Sequence, residues 1–293
     1  MRGLVYAVLS AGCFGTLPIF GKLGYGMGLG TWEIVQYRFL AGALILLVHT
    51  AATRPELLRV GPRTLAKAAL LGVGIYPVQS LCFMGSLAYV PAATTSLILY
   101  LYPLAVTLAA AVLHRTRLNR VVGMSLLLVL AGSGLVFYDA FAREMSPRGV
   151  LLALGAMLTY STYLTLVQAF LKGERARSLT LYVILFAALF FNLAGGPGPL
   201  LALDGKRLAL AAGMGLITSA LAVTLLFAAI ELVGSALASI FSSFEPVATL
   251  VLAGLVLGEP VALPQVAGVA CIVAGIALPN LHLARRRAEV AGP

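Results

Sequence analysis

The chain has 293 residues, of which 61% are hydrophobic and only 10% charged, with a formal net charge of +10. Apolar runs on this scale leave almost no chain for a soluble domain, which excludes a soluble enzyme and a soluble nucleic-acid binder. The positive charge therefore has to be read by its placement rather than its sum. The hydrocarbon core of a bilayer is about 30 Å thick and takes about 20 apolar residues per helix, so the uncharged stretches can be counted as spans.

Segments 3–21 and 34–53 read as the first two spans. The N-terminal segment resembles a signal peptide only superficially, because it contains Pro18 and has no small-residue cleavage site before Lys22, and it is read as an uncleaved span. Phe14 lies within it. Glu33 opens the second span as a solvated cap, and Arg38 sits a turn and a half inside. The apolar stem of Arg38 suits snorkelling towards an interface, with an anion contact as the alternative. Between Lys67 and His114 there is no Asp, Glu, Lys or Arg, which leaves room for a third span at 68–87 and a fourth at 92–113, joined at Pro91. The third carries Tyr76 and Gln79. The fourth places Ser96, Tyr100, Pro103 and Thr107 along one helical face.

Spans five to eight follow at 121–138, 149–171, 178–196 and 208–230, with Tyr160 and Tyr163 in the sixth. The ninth, 235–257, carries Ser239, Ser242, Ser243, Glu245 and Pro246, and the tenth occupies 263–283. The expected fold is an all-α integral membrane protein of ten transmembrane helices. Placing both termini in the cytoplasm puts fourteen Lys and Arg of the short loops inside and five outside, which is the asymmetry that sets orientation.

At an offset of 143 residues, Val90, Ala93, Ser96, Pro103, Ala105 and Ala110 return as Val233, Ala236, Ser239, Pro246, Ala248 and Ala253. A proline inside a helix kinks it, and the same kink is expected five spans apart. Five is odd, so the second copy enters the membrane from the opposite face, giving an inverted repeat of residues 1–146 and 147–293 that forms one integrated transport unit. Inverted repeats can exchange shapes and expose a central site to either side.

These residues carry a resemblance. The stretch from Gly234 to Glu259, GSALASIFSSFEPVATLVLAGLVLGE, followed by Gln265 and Gly268 leading into AGIAL, resembles the EamA-type exporters of the drug/metabolite transporter superfamily. Thr116 stands where the first half would repeat Glu259, so the Gly-Glu signature occurs once. In length and organisation the chain is similar to the YddG-like amino-acid exporters, which implies outward movement of amino acids or related metabolites. The superfamily also contains drug-efflux proteins and nucleotide-sugar carriers.

Glu245 is the leading candidate for chemistry, because an acid within a span faces a bundle interior or a water-filled cavity. It could meet water, a substrate ammonium or an exchanging proton, or simply satisfy the backbone and a neighbour such as Arg38. The polar stripes of Ser96 and Tyr100 and of Ser239, Ser242 and Ser243 read either as cavity lining or as helix-packing contacts. With Phe14, Tyr76, Gln79, Tyr160 and Tyr163 they suggest an amphipathic pocket for an uncharged, zwitterionic or aromatic solute. Pro103 and Pro246 are expected hinges, and Gly12, Gly15, Gly254 and Gly258 permit close helix contact. Tyr6, Tyr25, Tyr89, Tyr138 and Tyr182 are assigned to the interfacial belts.

Neither a metal site nor a cofactor is expected. His49, His114 and His282 lie at separate span ends, the three cysteines are scattered in apolar segments, and Gly15–Lys22 lacks the residues of a phosphate loop. The resulting expectation is a non-enzymatic secondary transporter in the inner (plasma) membrane, with a small-molecule substrate, the lipid bilayer as its surroundings, no nucleic-acid partner, and a monomer as the simplest assembly. Multidrug efflux is the rival within transport. A membrane-embedded enzyme or scaffold subunit is the rival outside it.

Overall fold

A computed structural model describes residues 2–87, 89–90, 92–113, 120–138, 146–196, 204–257 and 261–291. Pro91, His114, Thr116, Gly258 and Glu259, which figured in the repeat and signature readings, lie outside them. The described residues are helical throughout, with turns and no strand. Among them, six helices are long and apolar enough to cross a membrane, and four shorter apolar helices accompany them. The longest run, Gly205–Ser242, is broken by Gly234 at φ 80°, which divides it where the eighth span was expected to give way to the ninth.

In chain order the helices are α1 (Arg2–Gly15), α2 (Leu17–Gly26), α3 (Thr31–Thr53), α4 (Pro62–Ala69), α5 (Tyr76–Leu87), α6 (Ala92–Leu99) and α7 (Tyr102–Leu113). They continue with α8 (Arg120–Val136), α9 (Pro147–Phe170), α10 (Ala176–Gly195), α11 (Gly205–Met214), α12 (Ala222–Ser242), α13 (Glu245–Leu257) and α14 (Leu263–Ala291). A π turn at Leu70–Ile75 joins α4 to α5, and a second at Gly215–Leu221 joins α11 to α12. Local chemistry sets several starts. Glu33 Oε2 accepts from Gly30 N–H at 2.6 Å, as expected of a cap, Pro62 and Pro147 open their helices, and Asp204 Oδ1 accepts from Arg207 N–H at 2.8 Å. That backbone N–H of Arg207 holds the Asp204 carboxyl below its ordinary value.

The sequence repeat has a structural counterpart. α6 ends at Leu99 and α7 begins at Tyr102; 143 residues later α12 ends at Ser242 and α13 begins at Glu245. The breaks share their turn geometry, with Leu101 N–H donating to Ile98 O and Phe244 N–H to Phe241 O, both at 3.2 Å. Pro103 and Pro246 therefore sit in the first turn of a new half-helix rather than in a helix interior. There a missing N–H leaves no bond unmade, so the expectation of a proline kink becomes a clean break just ahead of each proline.

Helix contacts repeat as well. A Cβ on Gly132 would meet Gly268 O at 2.6 Å, and one on Gly275 would meet Ser125 O at 2.9 Å, which is one contact between α8 and α14 made twice by residues 143 apart. Ser125 Oγ donates to Gly275 O at 2.6 Å. Gly3 packs on Val233, and Gly149 packs on Val90 in the same way. Such close approach supplies van der Waals packing where lipid removes the hydrophobic drive between helices. Outward-facing Val112, Leu127, Leu151, Leu193 and Leu255, each at least 70% exposed, match a lipid environment.

Candidate functional site

Because the bundle's helices are broken near mid-depth, polar groups and half-helix ends meet in its interior. A cavity enclosing about 590 Å3, counting its open mouth, is bounded by α1, α2, α3, α5, α6, α9 and the start of α13. Phe14, Tyr76, Gln79, Tyr160 and Glu245, all anticipated, line it, joined by Arg38. Phe14 lies at the far end of α1 and Arg38 near the start of α3, so the cavity occupies the half of the bundle remote from the chain's first residue.

Arg38 corrects one sequence reading. It does not snorkel to an interface; it is only 5% exposed. Its Nη2 donates to Tyr76 Oη at 3.0 Å and to Thr218 O at 3.3 Å, and its Nε donates to Ser219 Oγ at 3.3 Å. The guanidinium also lies 5.0 Å from the Phe39 ring centre, within cation–π range. Thr218 and Ser219 belong to the second π turn, whose irregular backbone presents a carbonyl that a regular helix would have kept for itself. The cation is thus held by neutral groups, and no carboxylate pairs with it among the described residues.

Glu245 faces Arg38 across the same cavity. It begins α13, where the positive end of a helix dipole favours an anion. The Tyr100 hydroxyl lies within hydrogen-bonding reach of its carboxyl, and the Arg38 guanidinium acts on it from further away. Between the two charges runs a chain of rings. Tyr100 stacks on Phe137 at 5.7 Å and lies 6.4 Å from Tyr102. Tyr102 meets Tyr160 edge-on at 4.9 Å, Tyr160 stacks with Tyr163 at 6.3 Å, Tyr163 packs on Tyr76 at 5.0 Å, and Tyr76 meets Phe39 at 5.0 Å. The Tyr163 hydroxyl is buried with no hydrogen-bond partner, and the buried Tyr102 and Ser242 hydroxyls have only one another within reach, a concentration of poorly met polar groups in one region of an apolar interior.

The remaining anticipated residues lie outside the cavity wall. Tyr100 and Tyr163 form a layer behind it. Ser239 Oγ donates to Ala236 O at 2.8 Å and Ser243 Oγ to Ser239 O at 3.2 Å, so both satisfy their own helix. Ser242 is buried at the end of α12, and Ser96 is half-buried on α6. The sequence reading left out of its site list Arg38, which lines the cavity, and Tyr102, which joins the chain of rings behind it. Tyr102 had a signal: it is the residue 143 positions before Glu245, at the same place in the first half's broken helix.

A polar clasp lies at the opposite end of the bundle. Lys67 Nζ contacts Glu174 Oε1 at 2.9 Å, Thr64 Oγ1 donates to Glu174 Oε2 at 2.7 Å, and Lys67 Nζ also donates to Phe170 O at 3.3 Å. This clasp ties the start of α4 to the turn between α9 and α10. The Lys67 ammonium and then the Thr64 hydroxyl, both bonded to Glu174, hold its carboxyl below the usual value. No group of three or more His, Cys, Asp or Glu side chains able to hold a metal occurs among the described residues.

Comparison with known proteins agrees with this architecture. The EamA-like transporter family matches residues 1–138 and 147–281. An uncharacterized transporter of Haemophilus influenzae is 28% identical over 197 residues, a match spanning 65% of this chain and 63% of that relative. A crystal structure 19% identical in sequence superposes with a TM-score of 0.81 over 97% of this chain and 98% of the other, which shows a shared fold.

Proposed function

The chain belongs to the EamA-like transporter family, and from that membership we propose that it is a secondary transporter of zwitterionic amino acids, aromatic and neutral ones first. The observation that carries this reading is the pair Arg38 and Glu245, opposite charges lining one cavity without an ion pair between them. An α-amino acid brings a carboxylate for Arg38 and an ammonium for Glu245, and the rings of Phe14, Tyr76 and Tyr160 suit an apolar side chain. A phosphorylated solute would set its charge against Glu245, and a simple cation would leave Arg38 unanswered.

The proposed cycle is alternating access between the halves 1–146 and 147–293, with the paired breaks ahead of Pro103 and Pro246 as the bending points. With the termini in the cytoplasm, as the loop charges favour, the cavity opens outward and the Lys67–Glu174 clasp closes the inner side, the state expected after release in an exporter of the inner membrane. A monomer suffices for this cycle, since every group invoked lies within one chain. The test is uptake of a labelled amino-acid panel, led by Phe, Tyr, Met and Thr, into proteoliposomes without ATP. Saturable uptake that other amino acids compete is the expected result. Uptake of a cationic dye with none of the amino acids would favour multidrug efflux instead.

A further inference from the structure

A second cavity, separate from the Arg38–Glu245 site, opens between the end of α3, the start of α10 and the second π turn, and it encloses about 880 Å3 including its mouth. Its two ends differ in chemistry. At one end stand His49, Arg54 and Arg177, all exposed, and no acidic side chain lines the cavity among the described residues. At the other end the walls are Ile45, Leu216 and Leu221. Ile45 to Arg54 is nine residues of one helical run, about 13 Å at 1.5 Å per residue. That is a headgroup-to-acyl distance, not the size of a simple anion.

The surroundings place this cleft against lipid. Leu44 and Val48 on α3 and Leu216 and Leu221 in the π turn are all exposed, at 54%, 66%, 44% and 46%. Between the basic and apolar ends lies the Thr224 hydroxyl, buried and without a partner. A buried donor with no protein partner marks an incompletely satisfied polar group in the cleft wall. The π turn contributes to the shape, because its wider coil draws Leu216 and Leu221 apart from a regular helical course.

We propose that this cleft binds one anionic phospholipid, with its phosphate between Arg54 and Arg177 and an acyl chain along Ile45, Leu216 and Leu221. Charge complementarity selects an anionic headgroup over a zwitterionic one. The apolar floor selects a lipid over a free anion. The site bridges α3 and the turn that carries Thr218 and Ser219, both of which bind Arg38, so an occupied cleft steadies the backbone behind the first cavity.

The experiment is native mass spectrometry of the delipidated full chain in detergent, offered phosphatidylglycerol and phosphatidylcholine with matched acyl chains. The expected result is preferential retention of one phosphatidylglycerol, undisturbed by inorganic phosphate at the same concentration. Retention should fall about ten-fold or more in R54Q/R177Q, from loss of charge-assisted phosphate bonds. It should also fall in L221W, which fills the apolar end without altering charge, so that one variant remains informative should the other misfold. Equal retention of both lipids by the native chain, displacement by inorganic phosphate, or unchanged retention in the folded variants would overturn the proposal.

Discussion

Replacing Arg38 by Met removes the cavity's fixed positive charge and keeps a long side chain that can follow the same course towards Tyr76. The native guanidinium makes one good bond, to Tyr76 Oη at 3.0 Å, and two long ones, to Thr218 O and Ser219 Oγ at 3.3 Å. Losing them costs some stability, but removing a buried charge offsets much of that cost, as replacement of buried ionic groups by apolar ones of similar size often does. The net change in folding stability is therefore expected to stay within about 1 kcal/mol. A bound substrate carboxylate responds differently, because hydrogen bonds to charged groups are worth about 1.5–3 kcal/mol. That corresponds to about a ten- to hundred-fold rise in half-saturation concentration. The assay compares phenylalanine with phenethylamine, which differ only in the carboxylate, in proteoliposome uptake. The native protein should prefer the amino acid, and Arg38→Met should lose that preference through weaker amino-acid binding with the amine unaffected. An unchanged ratio of the two half-saturation values would refute the assignment of Arg38 to the substrate carboxylate.

Glu245→Gln is expected to weaken amino-acid binding about ten-fold and to abolish any dependence of transport on an imposed pH gradient; if that dependence survives in the variant, Glu245 is not the coupling group. Gly215→Ala should lower thermal stability in detergent by about 1–3 kcal/mol, because the added Cβ meets Ala41 Cβ at 2.5 Å and Gly42 N at 2.6 Å; an unchanged melting temperature would mean that α3 and the π turn are free to separate. The Glu174 carboxyl is depressed in the folded protein by Lys67 and Thr64, so its stabilising contribution is present above the unfolded value of about 4.3 and fades as pH falls through the lower folded value. Glu174→Gln should flatten the acid limb of the stability profile, measured as melting temperature between pH 3 and pH 6, and an identical limb in both proteins would remove the clasp from the account.

Legibility in the sequence followed the range of the interactions. That the irregularities ahead of Pro103 and Pro246 come as a pair was implied by the 143-residue offset, because a repeat copies local structure along with residues, but kinks were expected where the helices instead end at residues 100–101 and 243–244. Phe14, Tyr76, Gln79, Tyr160 and Glu245 could be picked out as polar or aromatic groups where lipid-facing positions favour Leu, and they do converge on one cavity. The stripe Ser96, Tyr100, Pro103 and Thr107 assumed an unbroken helix. α6 ends at Leu99 and α7 begins at Tyr102, so Ser96 and Thr107 lie on different helices, and Thr107 Oγ1 donates to Pro103 O at 2.7 Å. Arg38 was misread because its depth in the span says nothing of Thr218 and Ser219, which reach it from about 180 positions away along the chain. No periodicity within one segment encodes that contact.

A carrier that exposes one amino-acid site alternately to the two sides of the membrane supports counterflow. Proteoliposomes are loaded with unlabelled phenylalanine and diluted into a trace of the labelled amino acid, with no ATP and no ion gradient. Alternating access gives transient accumulation of label above equilibrium, abolished when the vesicles are loaded with buffer alone and reduced in Arg38→Met. Label that only equilibrates, at the same rate with and without internal amino acid, would contradict alternating access and point to a channel-like or unrelated activity.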